Sequence, residues 1–122
     1  MTHTQKIRDN YLFRRLYRRG KGEVSPCIVI YYQKIKGQKF NRLGITATKK
    51  IGKANRRNRA RRVISESYRL LEGDLEVGYN FVIVARAPAA AVKMQTVRAD
   101  MLKLFSKIGG IKPSLTIDSG RR

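Results

Sequence analysis

The sequence predicts an α+β domain in which helices pack on a small mixed sheet. Two periodicities alternate along its 122 residues: β-branched runs typical of strands, and apolar side chains three and four residues apart, typical of helices. The run over 79–85 is almost continuously apolar, as expected of a strand buried on both faces. Because no repeat, low-complexity segment or long linker divides the chain, we expect a single domain over 1–122 with a globular part over about 6–108.

The first predicted element is a short helix over residues 9–20. Asp9 or the residue after it can cap its first N–H groups, and Gly20 suits the left-handed residue that often follows a helix. Phe13 and Tyr17 lie four residues apart and therefore share one face.

The remaining elements follow from the same patterns. Strands are predicted over 27–32 and 43–48, joined by an exposed hairpin loop, and a long helix over 53–71 precedes the buried strand. The last helix covers 92–108, and residues 109–122 form a loose basic tail. The predicted order is therefore α-β-β-α-β-α.

The charge of the chain indicates a polyanionic partner. Lys and Arg number 28 against 8 Asp and Glu, which gives a net charge of +20. Such a charge repels itself, and nucleic acid is the first candidate to neutralise it. The single cysteine, Cys27, has no disulfide partner within the chain, and one histidine, His3, cannot build a metal cluster, so a partner must supply any metal site.

The sequence also argues against a membrane protein. No stretch approaches the ~20 apolar residues that a spanning helix requires. The N-terminal residues lack the apolar centre of a signal peptide, and we therefore expect a cytoplasmic protein with no membrane partner.

Basic residues concentrate in the segment 49–62, called the signature segment below, where eight of fourteen residues are Lys or Arg. A helix N-terminus favours acidic residues, so cations there oppose local stability and indicate selection for binding an anion. On a helical wheel Arg59 and Arg61 fall on the polar face, whereas Arg56 and Arg57 project past the edge of the core. A solvated cationic face, a membrane surface and an acidic protein are the alternatives to RNA contact. The predicted RNA-binding residues are Lys49, Lys50, Lys53, Arg56, Arg57, Asn58, Arg59, Arg61 and Arg62.

Three aromatic residues, Phe13, Tyr17 and Tyr31, form a second candidate site. Aromatic residues at helical spacing usually pack inward, so a core role is the first alternative. However, the two on the first helix adjoin several arginines, and Tyr31 alternates away from its apolar neighbours. Aromatic rings beside cations form a plausible stacking platform for unpaired bases.

No catalytic residue is predicted. His3 lies near the chain start, and Cys27 opens a strand without a histidine nearby in the sequence, so a small structural role is expected for it. The eight acidic residues form no motif. The polypeptide alone is therefore not expected to catalyse a reaction, and an autonomous nuclease is disfavoured.

The signature segment resembles that of the protein subunit of bacterial ribonuclease P. Thr46-Ala47-Thr48-Lys49-Lys50-Ile51-Gly52-Lys53-Ala54 followed by Arg57-Asn58-Arg59-Ala60-Arg61-Arg62 is similar to the family's S-x-S-K-K-x-G-N-A and RNR motifs. Residues 13–20 are similar to the family's first helix, and residues 83–88 to the strand end before its last helix. The resemblance covers about residues 6–108.

The resemblance implies a fold and a function. It implies a fourth strand, giving the order α-β-β-(β)-α-β-α, and a left-handed βαβ crossover that contains the arginine-rich helix. It implies that this protein assists a catalytic RNA that removes the 5′ leader from precursor tRNA with Mg²⁺ held mainly by the RNA. Phe13, Tyr17 and Tyr31 match residues that contact the leader. The positions that match residues lying on the catalytic RNA are Lys49, Lys50, Arg57, Asn58, Arg59, Arg61 and Arg62. A ribosomal or general RNA-binding protein is the alternative function.

The chain departs from the family pattern at three places. Lys53 stands where asparagine is usual, Asn55 and Arg56 where apolar residues are usual, and Ser65 where arginine is common. The first two put the packing at the helix start in question. The third removes one expected positive charge, which Arg56 can offset.

Overall fold

The computed structural model describes residues 3–112, which form three helices and a five-stranded sheet. The predicted α+β class is confirmed. The strands are β1 (Thr4–Lys6), β2 (Lys21–Val24), β3 (Ile28–Lys34), β4 (Asn41–Thr46) and β5 (Tyr79–Ala85). The helices are α1 (Asn10–Arg19), α2 (Ala54–Leu71) and α3 (Met94–Ile108), with short 3₁₀ turns at Lys49–Ile51, Glu72–Asp74 and Ala87–Ala90.

The strands are arranged in the order β1-β4-β5-β3-β2, with β5 at the centre. β4 and β5 are parallel neighbours joined by α2, whereas β3 runs antiparallel on the other side of β5. The predicted hairpin between β3 and β4 is therefore wrong, because β5 separates them. The most apolar strand takes the central place, where both of its faces and both of its edges are covered. The left hand of the β4-α2-β5 crossover stays a prediction from the resemblance.

Helices cover both faces of the sheet. Phe81 and Ile83 of β5 belong to the main core, which the apolar sides of α2 and α3 complete. Val82 points to the opposite face and packs against Leu16 of α1, with Phe13 beside it. The prediction that β5 is buried on both faces is confirmed, and α1 and α2 lie on opposite sides of the sheet.

Two short strands were not predicted from the residues. β1 is polar and has no strand periodicity, yet the Asn41 N–H donates to His3 O at 2.8 Å and the Ile7 N–H donates to Leu43 O at 2.9 Å. The Thr4 and Tyr68 hydroxyl oxygens lie 2.8 Å apart, which ties β1 to α2. β2 supplies the additional strand between α1 and α2 that the resemblance implies, although it precedes the two predicted strands.

The ends of α1 differ from each other in how well they were predicted. Asp9 caps the helix, because the Tyr11 N–H donates to Asp9 Oδ1 at 2.9 Å. Gly20 is not left-handed, since its φ is −74°. A glycine is needed there for space, because a Cβ would lie 2.6 Å from Leu16 O.

The end of α3 corrects the prediction of a loose tail. Gly109 ends the helix in the left-handed conformation with φ 84°. Gly110 and Ile111 are buried, and Ile111 forms a β-bridge with Leu75. Residues 109–112 are therefore part of the folded domain, whereas the predicted tail over 113–122 lies outside the described residues.

Candidate nucleic-acid interface

The signature segment begins with a tight turn between β4 and α2. Ile51 is buried and anchors the 3₁₀ turn, and Gly52 follows with φ 131°, a conformation that other residues rarely adopt. Lys53 is the N-cap residue of α2 but makes no capping hydrogen bond through its side chain, and the first turn carries no acidic residue. The helix start is therefore positively charged both by its side chains and by its unpaired N–H groups.

Most of the predicted RNA-binding side chains are exposed and lack an acidic partner. An ion pair joins Arg69 to Glu66, near the other end of α2. Within residues 3–112, no signature cation has a carboxylate within ion-pair distance. The positive charge at the helix start is thus left for an external anion. The exposed members are Lys49, Lys50, Lys53, Arg56, Asn58 and Arg62.

Three arginines of the signature segment are half-buried and bonded within the protein. Arg57 donates to Gly52 O at 2.9 Å, so it folds back on the turn instead of projecting freely. Arg61 donates to Asn58 Oδ1 at 2.6 Å. Each retains further N–H groups that can meet a phosphate.

Arg59 departs most from its predicted place on the polar face. Its Nε donates to Ala90 O at 2.9 Å and its Nη2 donates to Val92 O at 3.0 Å. The guanidinium therefore joins α2 to the segment that leads into α3. The structure gives Arg59 an internal contact, and its predicted role in RNA binding stays a prediction.

The three predicted aromatic residues lie on the α1 side of the sheet but do not form one stack. Tyr17 and Tyr31 make an edge-to-face pair with ring centroids 5.0 Å apart, and Tyr17 is 43% exposed. Burial, and next the neighbouring Tyr31, raise the pKa of Tyr17, so its hydroxyl remains a hydrogen-bond donor at neutral pH. Phe13 is half-buried and packs towards β4. It therefore contributes to the core and also keeps part of its ring accessible for a base to stack on.

Gly44 on β4 is the residue on which Phe13 rests, and its importance was not predicted. A Cβ at Gly44 would lie 2.4 Å from Phe13 Cζ. An isolated glycine inside a strand indicates the close approach of another group, and that signal was present in the sequence. Gly44 and Phe13 also line a pocket of about 490 Å³, together with Arg61 and Ser65 of α2.

Replacing Gly44 by alanine is expected to displace the Phe13 ring and to lower the free energy of unfolding by about 1–2 kcal/mol. Gly22→Ala on β2 is the matched control, because its nearest neighbour would be Tyr31 Cδ1 at 3.4 Å, an ordinary contact. Chemical denaturation of both variants measures the effect. Equal stability changes would show that Phe13 adjusts without cost.

Cys27 is buried, and its environment does not make it reactive. Its backbone N–H donates to Asp100 Oδ2 at 3.1 Å. Burial, together with the hydrogen bond and negative charge of Asp100, raises the pKa of the Cys27 thiol to about 11. The thiol is therefore protonated at neutral pH and is a poor nucleophile.

The raised pKa of Cys27 predicts a loss of stability in alkali. The folded chain keeps the thiol protonated where the unfolded chain ionises it, so this contribution is complete below about pH 9 and declines towards pH 11. Between pH 8.5 and 10.5 the free energy of unfolding of the wild type should fall by about 1–2 kcal/mol more than that of Cys27→Ala. Parallel profiles in chemical denaturation would contradict this assignment, because the other groups titrate in both proteins.

Two further findings concern metal ions and membranes. The described residues contain no group of three or more His, Cys, Asp or Glu side chains that could hold a metal ion. Within residues 3–112, no helix is both long and apolar enough to cross a membrane.

The fold and its surface define a small α+β protein with a strongly basic helix start on one side of the sheet and an aromatic pair on the other. The family model for ribonuclease P matches residues 1–109. The ribonuclease P protein component of Clostridium acetobutylicum is 39% identical over 105 residues, covering 85% of this chain and 88% of that protein.

Solved structures agree with that match. The RNase P protein from Thermotoga maritima has a TM-score of 0.74 and 28% identity, covering 84% of this chain and 96% of that one. The Staphylococcus aureus RNase P protein has a TM-score of 0.73 and 27% identity, covering 87% and 95%. The chain belongs to the ribonuclease P protein family. It is thereby a protein component of the endoribonuclease that processes the 5′ end of tRNA.

Proposed function

We propose that this protein binds a catalytic RNA and the 5′ leader of precursor tRNA, and so assists the RNA in removing that leader by Mg²⁺-dependent hydrolysis. The observation that carries the proposal is the presence of two different surfaces on opposite sides of one sheet. One is a helix start with unpaired cations, which suits the phosphates of a large folded RNA. The other is the tyrosine pair on the α1 side, in which Tyr17 is exposed and Tyr31 half-buried, and which suits an unpaired strand.

The chain's own part in this function is to bind and to orient. Exposed cations of the signature segment neutralise phosphates, and the N–H groups at the start of α2 add a fixed positive field. Arg57 is held by Gly52 O, so its guanidinium is already positioned before RNA binds. Tyr17 and Tyr31 hold leader bases by stacking, which strengthens substrate binding beyond what the RNA alone provides.

We propose that the RNA holds the Mg²⁺ ions. Magnesium prefers carboxylate and other oxygen ligands, and the described part of this chain offers no carboxylate cluster that fits the ion. The protein's contribution to metal affinity is then indirect. By neutralising phosphates it reduces the repulsion that opposes the folding of the RNA around its ions.

Reconstitution tests the proposal. The full chain is combined with a bacterial ribonuclease P RNA and precursor tRNA at low Mg²⁺, and 5′ cleavage is compared with that by RNA alone. We expect faster cleavage and tighter binding of substrates that carry a leader. No gain over RNA alone would refute the proposal, and a gain in binding that ignores the leader would favour a general RNA-binding protein.

Salt dependence tests which surface binds the folded RNA. Arg62→Ala should reduce the slope of log K against log salt by about 0.7–0.9, as expected for one lost phosphate contact. Arg69→Ala is the matched control, because Arg69 is exposed on the same helix but paired with Glu66. Equal slopes for the two variants would place the signature segment off the RNA.

A further inference from the structure

The side of α1 that faces away from the sheet is strongly basic. Leu12, Phe13 and Leu16 of this helix belong to the small core on the α1 side of the sheet. The helix contains no acidic residue, and its arginines occupy other positions of the helical wheel. We call this surface the α1 outer face. Its arginines, all of them exposed, are Arg14, Arg15, Arg18 and Arg19.

The fold does not account for this concentration of charge. The helix dipole favours cations in the last turn, which explains the last two arginines but not the first two, which lie in the middle of the helix. Like charges four residues apart oppose helix formation, and α1 has two such pairs. Within residues 3–112, none of the four arginines has a carboxylate within ion-pair distance, whereas Arg69 of α2 is paired with Glu66. The α1 outer face therefore presents its charge to an external anion.

The α1 outer face is distinct from the two surfaces of the proposed function. The signature segment leads into α2, which lies on the opposite side of the sheet from α1. Tyr17 contacts Tyr31 of β3, so its ring is directed towards the sheet and away from the outer arginines. An RNA strand that passes from the signature segment to the tyrosine pair and continues in the same direction next meets the α1 outer face.

The shape of the α1 outer face suits phosphates and not bases. The hollow that Arg15, Arg18 and Arg19 form with Tyr11 measures about 60 Å³, far below the ~300 Å³ at which small-molecule sites begin. A nucleobase does not fit into it, but a guanidinium fork can bind a phosphate at its rim. Proteins bind double-stranded RNA mostly through its shape and its backbone, without inserting into the base stack. The chemistry therefore favours a base-paired stem over an unpaired strand.

The position of the surface indicates which stem it fits. In the proposed function the cleavage site lies with the catalytic RNA, on the side of the signature segment. Beyond the tyrosine pair the substrate strand is further from the cleavage site, so the RNA there is the part that precedes the leader. We propose that the α1 outer face binds the phosphates of a base-paired RNA stem that lies 5′ of the leader in longer precursors. This inference rests on the proposed function and extends it from the leader to the RNA upstream.

A double substitution in the reconstituted complex tests the proposal. Arg15→Gln with Arg18→Gln removes two positive charges and introduces residues that favour helices. Lys103→Gln with Lys107→Gln on α3 is the matched control, because both lysines are exposed and the change in charge is the same. Unfolding curves of the isolated proteins establish that both variants fold.

Binding is measured for two precursor tRNAs of equal length, in which the leader is preceded either by a stem or by the same segment made unpaired. Wild type and the α3 control should bind the stem-bearing precursor roughly tenfold more tightly, and the catalytic RNA alone should show no preference. The double arginine variant should lose the preference, and its slope of log K against log salt should fall by about 1.4–1.8, as expected for two lost phosphate contacts. Arg15→Lys with Arg18→Lys keeps both charges and should retain most of the preference.

The outcomes separate this inference from the function on which it rests. If the complex binds precursors with and without a leader equally, the proposed function fails and this inference fails with it. If the leader effect is present but paired and unpaired upstream segments bind equally, or if the catalytic RNA alone shows the same preference, only the assignment of the α1 outer face is overturned. An equal loss of affinity for tRNA without a leader would also overturn it, because the surface would then bind the catalytic RNA.

Discussion

Replacing Arg59 by alanine should lower the free energy of unfolding by about 2–4 kcal/mol, the largest stability effect expected in the signature segment. The guanidinium donates to the carbonyls of Ala90 and Val92, and hydrogen bonds from a charged donor contribute more than neutral ones. Its removal leaves both carbonyls without their partner and loosens the connection between α2 and α3. Chemical denaturation of the isolated protein measures the effect.

The matched control for this prediction is Arg62→Ala. Arg62 is exposed three residues further along α2, so the free energy of unfolding of this variant should change by less than about 0.5 kcal/mol. Arg59→Lys keeps the charge but not the two-donor fork, and it should recover only part of the loss. Arg59→Ala could instead be as stable as wild type and show a smaller slope of log K against log salt for RNA binding. That result would mean that the side chain binds RNA and does not stabilise the fold.

Tyr17→Ala should weaken leader-dependent binding by about 1–3 kcal/mol, or roughly 5- to 150-fold, while changing stability much less. Tyr17 is 43% exposed and contacts Tyr31 edge to face, so it forms the accessible part of the aromatic surface. The measurement compares the affinities of precursor tRNAs with and without a leader in the reconstituted complex. Their difference separates the contribution of the leader from that of the rest of the substrate.

The same helix supplies the control for Tyr17. Tyr11 is 62% exposed and lies on the outer side of α1, away from the sheet, so Tyr11→Ala should leave leader-dependent binding unchanged. Tyr17→Phe retains the ring and should retain most of the affinity. Equal losses for Tyr11→Ala and Tyr17→Ala would indicate a general effect on α1 and would rule out stacking at the pair.

Phe13 illustrates where periodicity stops being informative. Its spacing from Tyr17 correctly placed both on one side of α1, but the two rings meet different strands. Phe13 rests on Gly44 of β4, whereas Tyr17 reaches Tyr31 of β3. Those strands are separated by β5, and no local pattern in the sequence encodes that order. The sequence therefore predicts one aromatic cluster, whereas the strand order separates Phe13 from the Tyr17–Tyr31 pair.

Local residues alone determined the elements with strong internal signals. The apolar run of β5, the amphipathic pattern of α2 and α3 and the Asp9 cap each act within a few residues, so their positions were predicted closely. The positive charge at the start of α2 was equally visible, because the absence of acidic residues there is a property of the sequence itself.

Only the tertiary structure decided the features that depend on distant partners. β1 exists because β4 and Tyr68 supply hydrogen bonds to a polar segment, and the pocket lined by Phe13 and Gly44 brings together residues of β1, α1, β4 and α2. The inward contact of Arg59 likewise depends on carbonyls about thirty residues away. The sequence by itself determined a basic α+β protein whose second helix begins with a concentration of positive charge. Long-range hydrogen bonds and the strand order decided which of its charged and aromatic side chains face outward.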